Sequence, residues 1–314
     1  MAKKIADTKK MTHEQWVELR KSSIGGSDAA ASVNMNPFGS LIALYADKKG
    51  LSKERETNEA MRLGTDLEAY VAERFTEKSG KKVRNDFFMY ADDEYDFLTA
   101  NIDRRVVGEN ACLECKTMSS FSGYDLEAGE IPSQYFCQVQ HYMMVMGFDM
   151  AYLAILVLQR GLYVIEVKRD DDFIKQLRAA EIAFWKDHIE KDVPPEPDGS
   201  ESSMAALKEL YPKGYKDTQI VIPGLDRMIV DYKNLSKMAD DFKQQAENAK
   251  QQICSRLGNN EVGLGLQYGC SWKEQSRTSI DTKRLKAELP EVYARYAKTS
   301  STRVFRTKEI KKEK

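Results

Sequence analysis

Hydrophobic positions follow two different periodicities along the first two thirds of the chain. Helices are predicted over residues 58–78 and 170–190, and residues 132–147 are apolar nearly all round, which is typical of a buried helix. β-Branched and apolar runs predict strands over residues 83–90, 97–107, 111–117, 151–158 and 162–168. The order of these elements predicts an α/β fold in which helices flank a mixed five-stranded sheet.

A stretch rich in proline, glycine and serine, residues 193–203, predicts a linker between two parts of the chain. Residues 1–192 form the first part and residues 204–314 the second. The second part ends in a basic segment: from Lys273 onward there are 13 Lys or Arg against 6 Asp or Glu, a balance of +7. Such a segment favours a polyanionic partner, although basic tails also serve only to keep a chain soluble.

The second part also contains a heptad pattern. From Leu225 to Leu257 apolar residues repeat every seven residues at two positions, which predicts a helix about 50 Å long. Several of these positions are alanine, so the helix is either the partner of another helix in the chain or a contact between copies. Strands are predicted over residues 263–275 and 302–307, on either side of a helix over 281–296 that breaks at Pro290.

Composition narrows the class of protein. The chain has 314 residues, of which 42% are hydrophobic and 31% charged, enough to bury a core, and its net charge of −1 identifies no partner. No run approaches the roughly 18 apolar residues of a membrane span, and the basic N-terminus lacks the apolar core of a signal peptide. We therefore expect a cytoplasmic protein without membrane contact.

The five cysteines are an odd number without the spacing of a disulfide scaffold, which favours reduced thiols. Cys112 and Cys115 form a C-x-x-C pair. On a strand an offset of three places them on opposite faces, so they should not share a metal ion. An iron–sulfur cluster needs four converging thiolates and is disfavoured because the five cysteines are scattered.

Acidic and basic side chains converge around one predicted hairpin. A turn centred on Gly108 and Glu109 would place Asp103 directly opposite Glu114, with β-carbons about 5 Å apart, and Lys116 on the same face. An acid and a lysine two residues apart are also common on solvated sheet faces. Here, however, the surrounding strand is apolar, and two close carboxylates usually hold a divalent cation between them.

Two further groups have both an ordinary and a functional interpretation. In RKSSIGGS, Ser27 or Asp28 can simply cap a helix, or the glycines and free amides can bind a phosphate close to Arg20. On the buried helix, Gln134, Gln138 and His141 form a polar stripe that binds either other core groups or a ligand.

Taken in order, these segments resemble the YqaJ-type phage recombinase, or lambda exonuclease, family of the PD-(D/E)xK nuclease superfamily. The resemblance covers about residues 12–190. It rests on Arg20 with Ser27, Glu68, Asn101-Ile102-Asp103, Glu114-Cys115-Lys116, and Tyr135 with Gln138-Val139-Gln140. Ile102 stands where the superfamily motif has its proline, which is a common variation. The segment Trp272 to Arg306 also resembles phage members of the group.

The resemblance implies a metal-dependent hydrolytic site. Asp103 and Glu114 would hold Mg²⁺ or Mn²⁺ together with the backbone carbonyl of Cys115, and Glu68 would contribute directly or through water. Lys116 would orient or activate the attacking water and steady the charge that develops on the phosphorus centre. These oxygen ligands are those that Mg²⁺ prefers.

The resemblance also implies contacts to DNA. Gln138 would line the phosphate pocket beside Tyr135, and Arg20 and Ser27 would bind the terminal 5′ phosphate. Asn101 occupies a place where the best-known relative in the family has a phosphate-binding serine, and its amide can still donate a hydrogen bond.

The implied activity is a 5′-to-3′ exonuclease on linear double-stranded DNA that leaves 3′ single-stranded tails. The implied partners are DNA ends, a single-strand annealing protein and further copies of the chain in a ring-shaped trimer. The implied location is the cytoplasm of a bacterial host, from a phage or prophage gene. Two alternatives are an endonuclease on the same core and a non-catalytic module that binds DNA ends or recruits a partner.

Overall fold

The computed structural model describes residues 2–53, 58–119, 123–216, 218–299 and 303–307. The chain divides into two compact units, Met1–Pro212 and Lys213–Lys314. The first unit runs in the order β1 (Lys3–Asp7), α1 (His13–Lys21), α2 (Gly26–Ser32), α3 (Leu41–Lys48), α4 (Glu59–Ser79), β2 (Val83–Asn85), β3 (Phe88–Ala91), β4 (Thr99–Ala100), β5 (Arg104–Val106), β6 (Ala111–Met118), α5 (Ser133–Met146), β7 (Met150–Val157), β8 (Gly161–Lys168), α6 (Asp171–Phe184) and α7 (Glu201–Leu210).

The main sheet has five strands in the order β2-β5-β6-β7-β8. The β6–β7 pair is parallel and the other pairs are antiparallel, so α5 forms the crossover between β6 and β7. Helix α4 packs Val71 and Phe75 against one face, and Val139 and Met143 of α5 belong to the core on the other. The predicted α/β fold with a mixed five-stranded sheet is therefore confirmed.

Two predicted strands are wrong in extent, because each divides into two strands that belong to different sheets. Residues 83–90 form β2 and β3, and residues 97–107 form β4 and β5. Strands β3 and β4 join the N-terminal strand β1 in a separate sheet of order β1-β3-β4. The chain turns between β2 and β3 at Asp86, whose buried carboxylate accepts from the Phe88 amide at 3.2 Å and from the Arg105 guanidinium at 2.6 Å.

The predicted register of the central hairpin is confirmed. Arg104 pairs with Leu113 and Arg105 with Cys112, so Asp103 precedes β5 at the level of Glu114. Gly108 has a φ of +85°, which a residue with a side chain rarely adopts. Cys112 belongs to the core on the α5 side and Cys115 packs on the α4 side, so the two thiols lie on opposite faces.

The boundary between the units lies after the predicted linker, not within it. Helix α7 packs against α3 and belongs to the first unit. The amide and hydroxyl groups of Ser40, the residue that caps α3, lie 3.1 and 3.3 Å from the hydroxyl of Ser202. Residues 201–210, which include the end of the predicted linker, therefore form one more helix of the first unit before the second begins.

The second unit consists of α8 (Leu225–Leu257), β9 (Val262–Leu264), β10 (Gly269–Ser271), α9 (Thr282–Glu288) and α10 (Pro290–Tyr296). The long helix and the break at Pro290 agree with the sequence pattern. Residues 263–275 form a short hairpin instead of one strand, and residues 303–307 form no strand, whereas Thr302 lies outside the described residues. Within the described chain, no helix is both long and apolar enough to cross a membrane.

Candidate active site

The carboxylate of Glu114 is at the centre of a buried group of polar side chains. One of its oxygens, Oε1, accepts hydrogen bonds from Lys116 Nζ at 2.6 Å and from Gln138 Nε2 at 2.7 Å. The other oxygen, Oε2, is buried and has no hydrogen-bond partner. Because a buried carboxylate oxygen without a partner is costly, this atom is suited to bind a further positive group.

Asp103 lies beside this carboxylate, just before β5. Its Oδ2 accepts a hydrogen bond from the backbone N–H of Cys115 at 2.8 Å, which ties it to β6. Burial, and then the nearby charges of Glu114 and Glu68, raise the pKa of Asp103 well above its ordinary value. Burial alone would lower the pKa of Lys116, but the charge of Glu114 keeps it above the ordinary value, so the lysine stays protonated.

Glu68 approaches the same place from α4 and is held by an arginine. Arg104 Nη1 donates to Glu68 Oε1 at 2.6 Å and to the backbone carbonyl of Asp103 at 2.7 Å. One turn earlier on α4, a β-carbon at Gly64 would lie 3.5 Å from Thr117 Oγ1, so the helix passes close to β6 there. Glu68 thus faces the site, but its carboxylate is engaged by Arg104.

The donor set fits a divalent cation with oxygen ligands. Asp103 and Glu114 supply two carboxylates, and Oε2 of Glu114 is unengaged. Burial, and then repulsion by Glu114 and Glu68, raise the pKa of Asp103, and a bound cation would offset both effects. In the part of the chain that the structure describes, no three side chains of His, Cys, Asp or Glu form a group that could hold a metal. The backbone carbonyl of Cys115, and water, would have to complete the shell.

On α5, the side chains of Gln138 and Tyr135 lie at the site and that of His141 lies in the core. Gln138 donates from the same Nε2 to Glu114 and, at 2.8 Å, to the hydroxyl of Tyr142. The ring of Tyr135 lies 5.1 Å from Lys116 Nζ. His141 instead lies in the core, 2.8 Å from Glu181 and 2.9 Å from the carbonyl of Thr99.

The polar stripe on α5 therefore divides between the two uses that the sequence allowed. Gln138 faces the site, and His141 has core partners on both ring nitrogens. The Thr99 carbonyl can only accept, so Nε2 of His141 carries a proton. Burial alone would lower the pKa of His141, but Glu181 and the Thr99 carbonyl raise it above the ordinary value, which favours the doubly protonated ring. The Oε1 atom of Gln134 is buried without a partner.

The candidate phosphate site lies at the start of α2. Arg20 Nη2 donates to Ser27 Oγ at 2.9 Å and lies 3.6 Å from Asp28. Asp28 also accepts from the Gly25 amide at 3.0 Å and from Lys48 Nζ at 2.6 Å, and the Lys48 side chain is fully buried. A recess of about 660 Å³ opens in front of Arg20 and Ser27.

Comparison with known proteins agrees with the resemblance. A family model described as the YqaJ-like viral recombinase domain matches residues 15–149. The uncharacterized protein YqaJ of Bacillus subtilis (strain 168) is 35% identical over 313 residues, which is 98% of each chain. The chain belongs to the YqaJ-like viral recombinase family. The family predicted from the sequence is thereby confirmed.

A solved structure of LHK-Exo, an alkaline exonuclease from Laribacter hongkongensis, in complex with dAMP is similar to this YqaJ-like chain with a TM-score of 0.50. The two are 20% identical, and the match covers 57% of this chain and 94% of that one. At that identity the likeness concerns the fold.

In this YqaJ-like chain the structure brings most of the predicted site residues together. Five of them form one group: Asp103, Glu114, Lys116, Gln138 and Tyr135. Glu68 joins this group through Arg104, and Arg20 contacts Ser27. Asn101 is half-buried, two residues before Asp103.

Sequence reasoning missed three residues. Arg104 directly follows Asp103, and Tyr142 lies four residues after Gln138 on one helix face, so both had a positional signal. Lys48 had none, because a lysine in the last turn of a helix normally faces solvent.

Proposed function

We propose that this chain is a metal-dependent deoxyribonuclease that degrades linear double-stranded DNA from its 5′ ends. It leaves 3′ single-stranded tails for recombination by annealing. The supporting observation is the buried acid pair: Glu114 Oε2 has no partner beside an Asp103 whose pKa is raised by burial and by neighbouring carboxylates. Membership of a viral recombinase family agrees with this proposal.

Each side chain has a task that follows from its contacts. Mg²⁺ or Mn²⁺ held by Asp103, Glu114 and the Cys115 carbonyl would activate a water and offset the charge of the leaving oxygen. Lys116 keeps its proton and stands 2.6 Å from Glu114, where it stabilises charge that develops on the phosphate. Gln138 fixes the orientation of Glu114 and so of the ligand oxygen.

Action at DNA ends is supported by the recess at α2. Arg20 supplies a fixed guanidinium beside Ser27, and α2 begins at Gly26, so the positive end of its helix dipole lies beside them; together they favour a terminal phosphate. The carboxylate of Asp28 lies 3.6 Å from Arg20 and partly offsets its positive charge. The same carboxylate also pairs with Lys48. A pocket for a terminal phosphate has no use on an internal bond, which favours an exonuclease over an endonuclease.

The direct test compares linear duplex DNA with the same sequence as a covalently closed circle, in Mg²⁺. We expect degradation of the linear form only. Lys116→Ala should slow cleavage by about 100-fold or more and keep DNA binding. Lys168→Ala, at an exposed lysine of β8, is the matched control. Equal digestion of both substrates would identify an endonuclease, and wild-type rates from Lys116→Ala would remove the proposed active site.

A second substrate comparison tests the recess. We expect faster degradation from 5′-phosphate than from 5′-hydroxyl ends, and Arg20→Ala should abolish the difference. Equal rates from both ends in the wild type would contradict Arg20 as the phosphate anchor.

The partners are proposed from the family resemblance. We infer a ring-shaped homotrimer that acts with a single-strand annealing protein in the cytoplasm of a bacterial host. Sedimentation at the mass of one chain, 35.8 kDa, would contradict the trimer. Failure of the annealing protein from the same phage or prophage to bind the purified chain would contradict the partnership.

A further inference from the structure

A second recess, of about 310 Å³, is lined by residues of both sheets of the first unit. Lys4 of β1 and Phe88 of β3 come from the three-stranded sheet. Arg84 comes from β2, the edge strand of the five-stranded sheet, and Arg105 from β5, the strand beside it. None of these side chains takes part in the candidate active site described above.

The charge of this recess is positive and largely uncompensated. Its buried acid, Asp86, accepts from Arg105 Nε at 2.6 Å and from the Tyr90 hydroxyl at 2.9 Å, so Arg105 neutralises it. Lys4 and Arg84 are exposed, and neither forms an ion pair with a carboxylate of the described residues. The recess therefore offers the ammonium of Lys4 and the guanidinium of Arg84 to an anionic ligand.

Aromatic rings are interleaved with these cations. Lys4 Nζ lies 4.0 Å from the ring centroid of Phe88, and Lys9 Nζ lies 5.2 Å from that of Phe87. Phe87 is 42% exposed, and its carbonyl accepts from the Thr8 amide at 2.7 Å, which holds the residue in place. Cations that follow a sugar-phosphate backbone, with exposed rings on which bases stack, are the usual means of binding single-stranded nucleic acid.

The recess also lies close to the proposed catalytic acids. Arg105 follows Asp103 by two residues, so the two lie about 7 Å apart along the chain and on the same side of it. This short spacing would let one DNA molecule contact both places.

We propose that this recess, defined by Lys4, Arg84, Arg105, Phe87 and Phe88 and here called the basic recess, binds single-stranded DNA. Lys4 and Arg84 bind phosphates and Phe87 stacks on a base. The proposal rests on the proposed function in one respect: the bound strand is taken to be the one that escapes degradation.

Fluorescence anisotropy with a labelled oligothymidylate, in EDTA so that no cleavage occurs, tests the basic recess. The oligonucleotide should have about 20 nucleotides, more than the ~4–16 that one single-strand binding fold covers. The variant Lys4→Glu with Arg84→Glu should raise Kd by about 10-fold or more. The slope of log Kd against log salt should fall by about 1.4, which corresponds to two lost phosphate contacts.

The matched control is Arg160→Glu with Lys175→Glu, which changes the net charge equally at two exposed residues outside the recess. It should change Kd much less and keep the wild-type salt slope. Phe87→Ala should weaken binding by about 5-fold or more through lost stacking. Unfolding curves of all variants should match the wild type, because the substituted side chains are exposed.

Three results would overturn the basic recess as a single-strand site. The first is equal Kd and salt slope for the recess and control variants. The second is no loss of binding from Phe87→Ala. The third is an equal effect of the recess variant on blunt duplex DNA, which would indicate a duplex surface. Because the assay needs no cleavage, its outcome is independent of whether the chain proves to be a nuclease.

Discussion

The ring of Tyr142 occupies the space in which a side chain at residue 26 would lie: a β-carbon on Gly26 would be 2.5 Å from Cε1 of the ring. The hydroxyl of the same tyrosine accepts a hydrogen bond from Gln138 at 2.8 Å, and Gln138 donates to Glu114. One buried side chain thus connects the start of α2, next to Ser27, with the central carboxylate of the candidate active site.

Gly26→Ala should destabilise the protein, because neither the ring nor the backbone of α2 has room to move freely. We expect a loss of about 1–3 kcal/mol in the free energy of unfolding, measured in urea. Gly64→Ala is the control: its β-carbon would make an ordinary contact at 3.5 Å, and alanine favours a helix. Equal stability of the two variants would show that the Tyr142 contact does not constrain residue 26.

Tyr142→Phe should keep the packing against Gly26 and remove the acceptor for Gln138. The loss of one hydrogen bond, about 0.5–1.5 kcal/mol, should lower the rate of cleavage by about 2- to 13-fold through misalignment of Glu114. Affinity for DNA should stay near the wild-type value. A change in affinity with an unchanged cleavage rate would contradict a positioning role for the hydroxyl.

Lys48→Met should be strongly destabilising, because it leaves the Asp28 carboxylate buried without its ammonium partner at 2.6 Å. We expect the free energy of unfolding, measured in urea, to fall by about 3–5 kcal/mol. The neighbouring Lys49 pairs with the exposed Asp192 at 2.7 Å, so Lys49→Met should cost about 0–1 kcal/mol. Similar losses from both variants would mean that burial of the Lys48 pair is unimportant for stability.

Removal of one acid should change how the protein responds to divalent ions. Without a cation, ionised Asp103 is disfavoured by burial and by Glu114 and Glu68, so Asp103→Asn should raise Tm in EDTA. Mg²⁺ or Mn²⁺ should raise the Tm of the wild type and not that of the variant. An equal rise in both proteins would place any bound cation away from Asp103.

The pair of His141 and Glu181 should make stability depend on pH. Burial alone would lower the pKa of His141, but Glu181 and the Thr99 carbonyl raise it above the ordinary value, with a further contribution from Asp28. The stabilisation by the protonated ring is therefore complete below about pH 6.5 and is lost as pH rises through the raised pKa.

Urea unfolding over this pH range should show a decline in the wild type that is absent in His141→Gln. The control variant His13→Gln, at an exposed histidine, should show the same decline as the wild type. A pH profile of His141→Gln identical to that of the wild type would assign the decline to another group.

Local patterns predicted those parts of the fold that depend on neighbours in sequence. The heptad pattern predicted both ends of α8, and the turn at Gly108 predicted the pairing of Arg104 with Leu113. The division of residues 83–90 and 97–107 between two sheets was not predictable. It depends on the buried bonds of Asp86 with Arg105 and Tyr90 and on pairing with β1, whose short sequence has no strand signal.

The candidate site shows the same division. Asp103, Glu114 and Lys116 are brought together by strand geometry, which the sequence encodes directly. The hydrogen bond from Arg104 to Glu68 and the burial of Lys48 depend on how α4, α2 and α3 pack. Packing between elements that are distant in sequence produces no periodic pattern of residues, so it could not be predicted.

The three clusters of packed apolar side chains all lie before Pro212, whereas Leu257 is the sole large apolar side chain counted as buried among the described residues beyond it. A shortened chain ending near Pro212 would thus keep every one of those clusters, and it is a practical subject for crystallisation. The large apolar side chains of α8, among them Met228, Leu235 and Phe242, are already exposed in the full chain. A fragment of the second unit produced alone would carry them too, and it would call for a detergent or a fusion partner to stay dispersed.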